Sequence, residues 1–453
     1  MNFRVSDFCH FVTGINNFVA MYNSLTLGIV IVEKRVADFF KKYLKGVFSS
    51  DDLVFLNYKE KQKLLAELQK HKLIFPLGIR PDLKDYLSIQ EGLNCKKIGI
   101  LYLLMTDTCN LACKYCFVEN KIPKNYCFTK MSPKTVRFGL DLFVKSLAQS
   151  HGIKEPQIII YGGEPLINLE AVKETFSYVK HLKMNGKLPK NTSITINTNG
   201  TLINAEVIEI LKQAENLNVA ISLDGPQKIN DACRKYHSGL GTYEDILKAR
   251  HLLQVNGINA GFCCTINKFN VDKLDKISSW FVEKMGAKSL GFNLLIEGGE
   301  IEKVRGNINS YAHKTTAQLI KCFKYFRREG VYEDRIMRKV NAFIEGHVYY
   351  YDCGGCGQQL VISPDGMVGI CQGYCGSKKY FINANKNFNP LDHPNWDLWR
   401  HRSPLLMPQC CGCIALSVCG GGCPFSAEVR SGSIWNLDEI FCVHAKKMVH
   451  AVA

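Results

Sequence analysis

The cysteines are the feature that most constrains what this chain can fold into. There are 20 of them among 453 residues, and their spacing is uneven. Three stand together at Cys109, Cys113 and Cys116, and ten fall between Cys353 and Cys442. A disulfide framework would not be distributed in this way, whereas clustered cysteines in a reducing compartment more often hold metal or take part in catalysis. The sequence therefore predicts two separate metal regions.

Composition excludes several classes of protein. With 46% hydrophobic and 22% charged residues, the chain can bury a large core, and we expect two or three domains. No apolar run approaches the roughly 18–20 residues that a membrane-spanning helix needs, and residues 1–10 lack the layout of a signal peptide. We expect a soluble, cytoplasmic protein with no membrane partner.

The order of strand and helix patterns predicts three regions and a linker. Residues 1–80 are expected to form a small α+β domain, and residues 81–97 a linker. Residues 98–330 repeat strand and helix six times, which indicates an α/β fold with a parallel sheet, either a partial barrel or a doubly wound sheet. Residues 331–453 become Gly-rich and Cys-rich after Cys353, and we expect bound metal to be the source of their order.

The first cysteine group has the pattern Cys109-x3-Cys113-x2-Cys116 and follows the first strand of the repeating region. Three thiolates can hold a four-iron cluster and leave one iron open for a small molecule, whereas zinc normally takes a fourth protein ligand or a water. A structural zinc knuckle completed by a distant His or Cys is the alternative. The carboxyl end of a barrel strand favours chemistry over a structural role.

Glycine-rich and polar turns follow the next three strands. They are Gly162-Gly163-Glu164-Pro165 after the second strand, Asn197-Thr198-Asn199-Gly200 after the third and Ser222-Leu223-Asp224-Gly225 after the fourth. Each alone is a plausible turn. Together with the CxxxCxxC pattern and the aromatic Tyr115 before its last cysteine, their order resembles the radical S-adenosylmethionine (SAM) superfamily.

This resemblance implies a partial (β/α)6 TIM-like barrel that binds SAM and a [4Fe-4S] cluster on the three cysteines. It implies that the GGEP motif holds the amino group of SAM. Arg234 is the candidate for the SAM carboxylate, in a segment where Asn230 replaces the usual histidine. The implied SAM contacts are Tyr115, Gly162, Gly163, Glu164, Pro165, Thr198, Asn199, Ser222, Asp224 and Arg234. No catalytic side chain is assigned.

The second cysteine group is similar to the SPASM extension of radical SAM enzymes. Cys356 and Gly366-x4-Cys371 are followed by Cys410-x2-Cys413-x5-Cys419-x3-Cys423 and by Cys442. The resemblance implies two auxiliary clusters, so that the chain would bind three [4Fe-4S] clusters. The first auxiliary cluster would take Cys353, Cys356, Cys371 and Cys423, and the second Cys410, Cys413, Cys419 and Cys442. Cys375 and Cys411 are spare thiols that would be able to replace an assigned ligand.

Residues 1–80 are similar to the winged-helix-like leader-binding domains of peptide-modifying SPASM enzymes, which take a leader as an added strand. A capping domain without a binding role is the alternative. The formal net charge of +16 would suit an acidic leader peptide. The lysines between Lys34 and Lys72 have the spacing of a solvated helix face, so no nucleic-acid partner is expected.

The resemblance implies an oxidoreductase that reductively cleaves SAM to a 5′-deoxyadenosyl radical and oxidatively modifies a ribosomally made precursor peptide. A flavodoxin-like or ferredoxin-like protein would donate the electron. A thioether cross-link is the preferred product. C–C cross-linking or epimerisation comes next, followed by a sulfatase-type formylglycine maturase. Gln372 disfavours the last of these, because sulfatase maturases have an aspartate there. A binding protein stapled by zinc is the non-enzyme alternative.

Overall fold

A computed structural model describes residues 1–14, 16–117, 127–297 and 301–452. The amino-terminal region consists of two small antiparallel sheets of three strands each, together with helices. Its elements are β1 (Asn2–Val5), β2 (Cys9–Thr13), β3 (Phe18–Asn23), β4 (Ile29–Glu33), α1 (Lys34–Lys42), β5 (Val47–Ser49), α2 (Tyr58–Lys70) and β6 (Ile74–Pro76). The side chains of α1 and α2 that face these strands form a separate apolar core.

The segment 81–97, which the sequence predicts to be a linker, contains a helix, α3 (Pro81–Glu91). Proline suits the first turn of a helix because it lacks the N–H that would have no partner there. The helix contacts the carboxyl-terminal region, where Tyr86 and Gln90 both donate hydrogen bonds to the carbonyl oxygen of Leu405. Its tertiary contacts are distant in sequence, so composition alone missed it.

The middle of the chain forms a parallel sheet whose strands alternate with helices. In chain order the elements are β7 (Ile100–Leu104), α4 (Pro133–Ala148), β8 (Gln157–Tyr161), α5 (Leu169–Met184), β9 (Ser193–Thr198), α6 (Ala205–Leu211), β10 (Leu217–Ser222), α7 (Gln227–Cys233), α8 (Tyr243–Val255), β11 (Ala260–Thr265), α9 (Leu274–Glu283), β12 (Ser289–Asn293), α10 (Ile301–Arg305) and α11 (Ile308–Glu329). Strands β7 to β12 are neighbours in sequence order and pair in parallel. This order is that of a barrel and excludes the doubly wound alternative.

The last third of the chain extends the same sheet. Its elements are β13 (Tyr332–Glu333), α12 (Asp334–Glu345), β14 (Gln359–Ile362), β15 (Val368–Gly369), β16 (Phe381–Ile382), α13 (Pro394–Arg400), α14 (Leu416–Cys419), α15 (Pro424–Ser431) and α16 (Glu439–Val452). Strand β13 pairs in parallel with β12, and β14 with β7. The residues of β14 are all buried, and Trp396 and Trp399 pack into the barrel core. The expectation that residues after Cys353 depend on metal for their order is therefore corrected, because they also share the main apolar core.

All twenty cysteines lie in the described ranges, and no disulfide bond joins them there. Within these same ranges, no helix has the length and apolar character required to cross a membrane. The carboxyl ends of β7 to β10 meet at one edge of the sheet, and three of the five groups of expected SAM contacts lie at or directly after the ends of β8, β9 and β10. Of the other two, Tyr115 lies on the loop after β7 and Arg234 follows α7.

Candidate functional site

The first three cysteines lie on the loop after β7, which we call the cysteine loop (residues 109–116). Two backbone hydrogen bonds tie it to the segment after α7, from Ala112 N to Lys235 O (2.8 Å) and from Lys114 N to Cys233 O (3.1 Å). Burial, with smaller contributions from the nearby Glu164, Cys113 and Cys116, raises the pKa of Cys109 to about 12. The three thiols are thus neighbours, each partly buried, and they would lose their protons when a metal cluster binds.

Gly163 is placed directly against the cysteine loop. The backbone N–H of Gly163 donates to Thr106 O (2.8 Å), and that of Glu164 to Thr108 O (2.9 Å). A Cβ atom on Gly163 would lie 2.2 Å from Thr108 O, which no side chain tolerates. The GGEP motif therefore positions the cysteine loop, a role separate from the SAM contact that the sequence predicts. Pro165 follows as the first residue of a short 3₁₀ turn.

The carboxylate of Glu164 joins the ends of β8 and β9. Its Oε1 atom accepts hydrogen bonds from Thr198 Oγ1 (2.7 Å) and Leu166 N (3.1 Å), and its Oε2 atom from Asn199 N (2.7 Å). Burial raises the pKa of Glu164, while these hydrogen bonds oppose that rise. Because an ionised carboxylate has about four acceptor positions, one remains for a ligand such as an ammonium group. The side-chain amide of Asn199 in turn donates a hydrogen bond to Asn110 Oδ1 (2.9 Å) on the cysteine loop.

Tyr115, Asp224 and Arg234 form a chain of hydrogen bonds at the same edge. Tyr115 donates to Asp224 Oδ2 (2.6 Å), and Arg234 Nη1 donates to the Tyr115 hydroxyl (2.8 Å). Arg234 is 6% exposed, and its Nε–H has no hydrogen-bond partner among the described residues. A buried guanidinium N–H without an acceptor is costly, so the site fits an additional anionic oxygen such as that of a carboxylate ligand.

The remaining predicted residues at this edge have different surroundings. Asn230, which replaces the family's histidine, is fully buried, donates to Thr242 Oγ1 (3.0 Å) and accepts a hydrogen bond from the backbone N of Asp224 (3.3 Å). It therefore supports the turn that carries Asp224. Ser222 ends β10, is half-buried and lies beside Cys263 of β11 in the sheet register.

The structure brings Cys353, Cys356, Cys371 and Cys423 together, and we call them the first cysteine set. Burial raises the pKa of Cys371, and the adjacent thiols of the other three raise it further. The set borders the barrel, because the Cys353 and Cys371 thiols also raise the pKa of Tyr102 on β7, after the larger effect of burial. Phe425, two residues after Cys423, contacts Phe117 next to the cysteine loop, with ring centroids 6.0 Å apart.

The second cysteine set consists of Cys410, Cys413, Cys419 and Cys442, and all four line one mostly apolar cavity. Burial raises the pKa of Cys410 to about 12, and the thiols of the other three add to the rise. The connection between the two sets is Gly420-Gly421-Gly422, which has positive φ at each residue. A Cβ on Gly420 would lie 2.3 Å from Asp352 N, so the chain folds back closely at this point.

A buried cation lies between the two cysteine sets and tests whether anionic clusters fit. Arg402 is fully buried and donates its hydrogen bonds to the carbonyl oxygens of Gly421, Gly422, Ile434 and Asn436. It lowers the pKa of Cys356 in one set and of Cys410 in the other, against the larger effect of burial. A buried charge is stable only when opposite charge compensates it, and clusters held by four thiolates carry negative charge. The donor sets therefore fit such clusters.

The two spare thiols differ in their surroundings. Cys375 is buried, and the charged groups that act on its pKa are Lys378, Asp107 and Asp365, while Cys411 is exposed. Cys375 and Gln372 line a small cavity together with Gly162 and Gly163. Among the described residues, no group of three or more His, Cys, Asp or Glu side chains is arranged to hold a single metal ion.

The sequence interpretation missed three charged residues beside the cysteines: Lys339, Asp352 and Arg402. Lys339 and Arg335 occupy buried positions four residues apart on α12, at the spacing of its apolar face. Charged residues at apolar positions of a helix indicate buried charges, and buried charges require partners of opposite charge, so this pattern could have identified them. Asp352 directly precedes Cys353, but nothing in the sequence marks Arg402.

Comparison with known proteins gives consistent matches. Residues 103–281 match the model of the radical SAM superfamily. The chain is similar to the radical SAM cyclopropyl synthase TigE of Paramaledivibacter caminithermalis, with 25% identity over 367 residues that cover 77% of this chain and 72% of TigE. The Clostridium perfringens cysteine-type anaerobic sulfatase-maturating enzyme is 25% identical over 365 residues, which cover 75% of this chain and 92% of that enzyme.

Solved structures share the fold. SuiB of Streptococcus suis bound to S-adenosylmethionine aligns over 97% of this chain and 99% of its own, with a TM-score of 0.55 and 14% identity. SuiB has also been solved bound to the precursor peptide SuiA. The structure of anSMEcpe with bound AdoMet covers 78% of this chain and 96% of its own, with a TM-score of 0.64 and 20% identity.

Proposed function

The chain is a radical SAM enzyme, with its radical SAM domain at residues 103–281, and we propose that it oxidatively modifies a ribosomally made peptide, with a thioether cross-link as the product. One observation carries the proposal: a three-cysteine loop at the carboxyl edge of the barrel, with two four-cysteine sets next to it. An enzyme that only generates a radical needs the first site alone. Two further cluster sites with full thiolate ligation suit the removal of an electron from an intermediate.

We assign the cluster that binds SAM to Cys109, Cys113 and Cys116. Glu164 has an acceptor position for the SAM ammonium, and Arg234 has a buried donor for its carboxylate. Tyr115 and Asp224 fix the Arg234 guanidinium, while Gly162 and Gly163 let the cysteine loop approach β8. When bound, the cluster and SAM supply a 5′-deoxyadenosyl radical that removes a hydrogen atom from the peptide.

The first and second cysteine sets are assigned to two auxiliary [4Fe-4S] clusters, which makes three clusters in all. The mutual proximity of the four thiols in each set supports this assignment. No cysteine is among the groups that act on the pKa of Cys375, and Cys411 is exposed, which argues that neither replaces an assigned ligand. A small flavodoxin-like or ferredoxin-like protein would supply the electron for SAM cleavage.

A leader peptide is the proposed partner of residues 1–80. Strand β4 is an edge of the β2-β3-β4 sheet, and edge strands bind extended peptides through free backbone groups. Ile31 in its centre is 66% exposed, which is unusual for an apolar side chain on a short strand. Lys34 and Arg35 follow at the end of the strand and would attract an acidic leader. These features support β-strand addition at β4.

Metal analysis of anaerobically prepared protein separates the enzyme from the zinc-stapled alternative. We expect about twelve iron atoms and matching sulfide per chain, as three four-iron clusters require. Zinc without sulfide would contradict the proposal. Reduced protein with SAM should release 5′-deoxyadenosine, and the Cys113→Ala variant, which lacks one ligand of the SAM cluster, should not.

The product is tested by co-expression with a candidate precursor, a short cysteine-containing peptide to be sought next to the gene, followed by mass spectrometry. A cross-link removes two hydrogen atoms from the peptide, because one bond forms in place of a C–H and an S–H or second C–H. A thioether also blocks alkylation of one cysteine, which a C–C bond does not. Epimerisation would instead leave the peptide mass unchanged in ordinary water and would incorporate deuterium when the reaction runs in heavy water.

The leader interaction is measured separately by fluorescence anisotropy with the labelled amino-terminal half of that peptide. Ile31→Asp should weaken binding at least tenfold by placing a charge on the proposed edge. Val54→Asp, which changes an 82% exposed residue of the same domain, is the matched control and should bind as the wild type does. Equal affinities for both variants would refute β4 as the edge.

A formylglycine-forming sulfatase maturase is the second candidate, because sulfatase-maturating enzymes are among the similar proteins. Gln372 lies beside Gly162 and Gly163, and its side-chain oxygen accepts a hydrogen bond from Gln359 (3.3 Å). A neutral amide cannot act as a base in place of an aspartate. A synthetic sulfatase peptide with cysteine or serine at the modified position tests this candidate directly, and we expect no conversion.

A further inference from the structure

A buried ion pair connects the two cysteine sets. Lys339 on α12 lies with its Nζ 2.6 Å from Asp352 Oδ1 and 2.6 Å from the carbonyl oxygen of Cys419. The two side chains are 2% and 5% exposed. Asp352 directly precedes Cys353 of the first set, and Cys419 belongs to the second. The negative end of the pair therefore adjoins one proposed cluster site and the positive end adjoins the other.

The groups around the pair do not remove this polarity. Arg335 Nη1 lies 3.6 Å from Asp352 Oδ2, and Arg338 Nη1 donates to the backbone oxygen of Asp352 (3.1 Å) while its Nη2 pairs with Asp334 (2.8 Å). His444 is fully buried, and its pKa is lowered to about 3 by burial and by the adjacent cations, so it is neutral. Lys339 thus remains a cation in contact with the second set, in addition to Arg402 beside Cys410 and Lys446 beside Cys442.

The charged groups with the largest effects on Cys353 and on Cys419 have opposite signs, negative at Cys353 and positive at Cys419. After burial and one local backbone hydrogen bond, the largest influence on Cys353 is the negative charge of Asp352, which Arg338 and Arg335 oppose with individually smaller effects. After burial, the largest influence on Cys419 is the positive charge of Lys339. In a medium from which water is excluded, such charges act strongly on any neighbouring redox centre. A cation stabilises an added electron and raises the reduction potential, whereas an anion lowers it.

A purely structural explanation accounts poorly for this arrangement. Burying an ion pair costs several kcal/mol of desolvation, and well-packed apolar residues of the same volume often stabilise a fold as well or better. The carbonyl oxygen of Cys419 would also be satisfied by a neutral donor. The charge itself therefore requires an explanation.

We propose that Lys339 and Asp352 are positioning residues for electron transfer, which hold the reduction potential of the cluster on the second cysteine set above that of the cluster on the first. The inference rests on the proposed function and deepens it. One electron passes from the reduced first auxiliary cluster, which is oxidised, to the oxidised second auxiliary cluster, which is reduced. No bond or proton changes in this step. The pair gives the transfer a direction, from the barrel side outward.

The potentials are measured by EPR-monitored redox titration of the full-length Cys109→Ala, Cys113→Ala, Cys116→Ala variant, which keeps only the auxiliary sites. Cys442→Ala in this background assigns the two signals. We expect the second cluster to be reduced first. Lys339→Met, which removes the charge at similar volume, should lower the potential of the second cluster more than that of the first. Asp352→Asn should raise the potential of the first.

The control is Lys183→Met on α5, which removes another buried lysine far from the cysteines in sequence and should leave both potentials unchanged. If the second cluster is reduced after the first in the protein that retains both Lys339 and Asp352, the inference is overturned before any further variant is made. Unchanged potentials in both Lys339→Met and Asp352→Asn, with full iron content, would do the same. Fewer than eight irons per chain in the starting background would contradict the proposed function as well, and iron content therefore distinguishes the two failures.

Discussion

The hydroxyl of Tyr115 lies 2.6 Å from Oδ2 of Asp224 and joins the cysteine loop to the end of the fourth strand of the barrel. The same hydroxyl accepts a hydrogen bond from Arg234. One aromatic residue of the CxxxCxxC pattern therefore aligns both the loop and the guanidinium that we assign to SAM.

Replacement of this hydroxyl should weaken SAM binding. Tyr115→Phe removes two hydrogen bonds to charged groups and leaves Arg234 free to turn towards Asp224, so we expect roughly a tenfold loss of SAM affinity. Equilibrium binding of SAM to the reconstituted protein measures it. Tyr236→Phe, which removes a similar hydrogen bond to Asp245 (2.8 Å), is the control and should bind SAM normally. Equal affinity of both variants would contradict the alignment role.

The close approach of Gly163 to Thr108 predicts a specific defect in cluster loading. In Gly163→Ala the new methyl group would overlap Thr108 O and displace the cysteine loop. We expect about four fewer irons per chain, with the auxiliary clusters retained. Gly46→Ala adds a methyl group that has only ordinary contacts, and it should keep the full iron content. Normal iron content in Gly163→Ala would show that the loop tolerates the shift.

The separation of Cys375 from the first cysteine set predicts different outcomes for two buried thiols. Cys371→Ala should lose the first auxiliary cluster, visible as about four missing irons and a missing EPR signal. Cys375→Ala should keep the irons and the EPR signal of this cluster, because no cysteine is among the groups that act on the pKa of Cys375. Loss of iron in Cys375→Ala would assign it as a ligand.

Arg402 is predicted to be essential for the loop between the two cysteine sets. Arg402→Met leaves four buried carbonyl groups without their donor, which we expect to destabilise the protein by roughly 3–5 kcal/mol. Chemical unfolding of the apoprotein measures this change, so cluster loss does not obscure it. Arg250→Met, which removes one half-buried hydrogen bond to Met285 O (3.1 Å), should cost much less. Similar losses in both would refute the special role of Arg402.

Glu333 predicts a pH dependence of stability. Its buried carboxylate accepts hydrogen bonds from the backbone N–H groups of Arg335 (2.7 Å) and Ile336 (2.9 Å), yet burial raises its pKa from 4.5 to about 7. Between these values the folded state binds more protons than the unfolded state, so stability falls as pH rises from about 4.5 to 7. Glu333→Gln should reduce this fall by up to roughly 3 kcal/mol. Unfolding at pH 5 and pH 8 measures it, and parallel profiles for both proteins would contradict the prediction.

The barrel strands and the cysteine spacing were readable from the sequence because both are local patterns. The run Gln157–Tyr161, for example, has three consecutive isoleucines, as is typical of buried parallel strands, and it forms β8 in the structure. The GGEP motif and the CxxxCxxC loop are likewise local patterns, identified by their resemblance to the radical SAM superfamily. The sequential strand order required the structure, since six strand and helix units are also compatible with a doubly wound sheet.

Contacts between distant segments could not be predicted in this way. The helix at Pro81–Glu91 is held by a hydrogen bond to Leu405, more than 300 residues away, whereas the local composition of this segment predicts a linker. Strand β14 enters the barrel sheet beside β7 from a region that looked too poor in apolar residues to do so. In each case the stabilising partner lies far along the chain, where neither periodicity nor composition carries information about it.

By itself, the sequence determined the chemistry available to this protein: three thiols on one loop, eight more at SPASM spacing, and a series of strands to carry them. Only the tertiary structure decided how these groups act on one another. It placed Gly163 against the cysteine loop, left a buried donor free on Arg234, and set Lys339 and Asp352 between the two cysteine sets. The physical reason is that thiol spacing is a property of the chain, whereas burial and the charges that surround a thiol come from segments that meet only in the folded state.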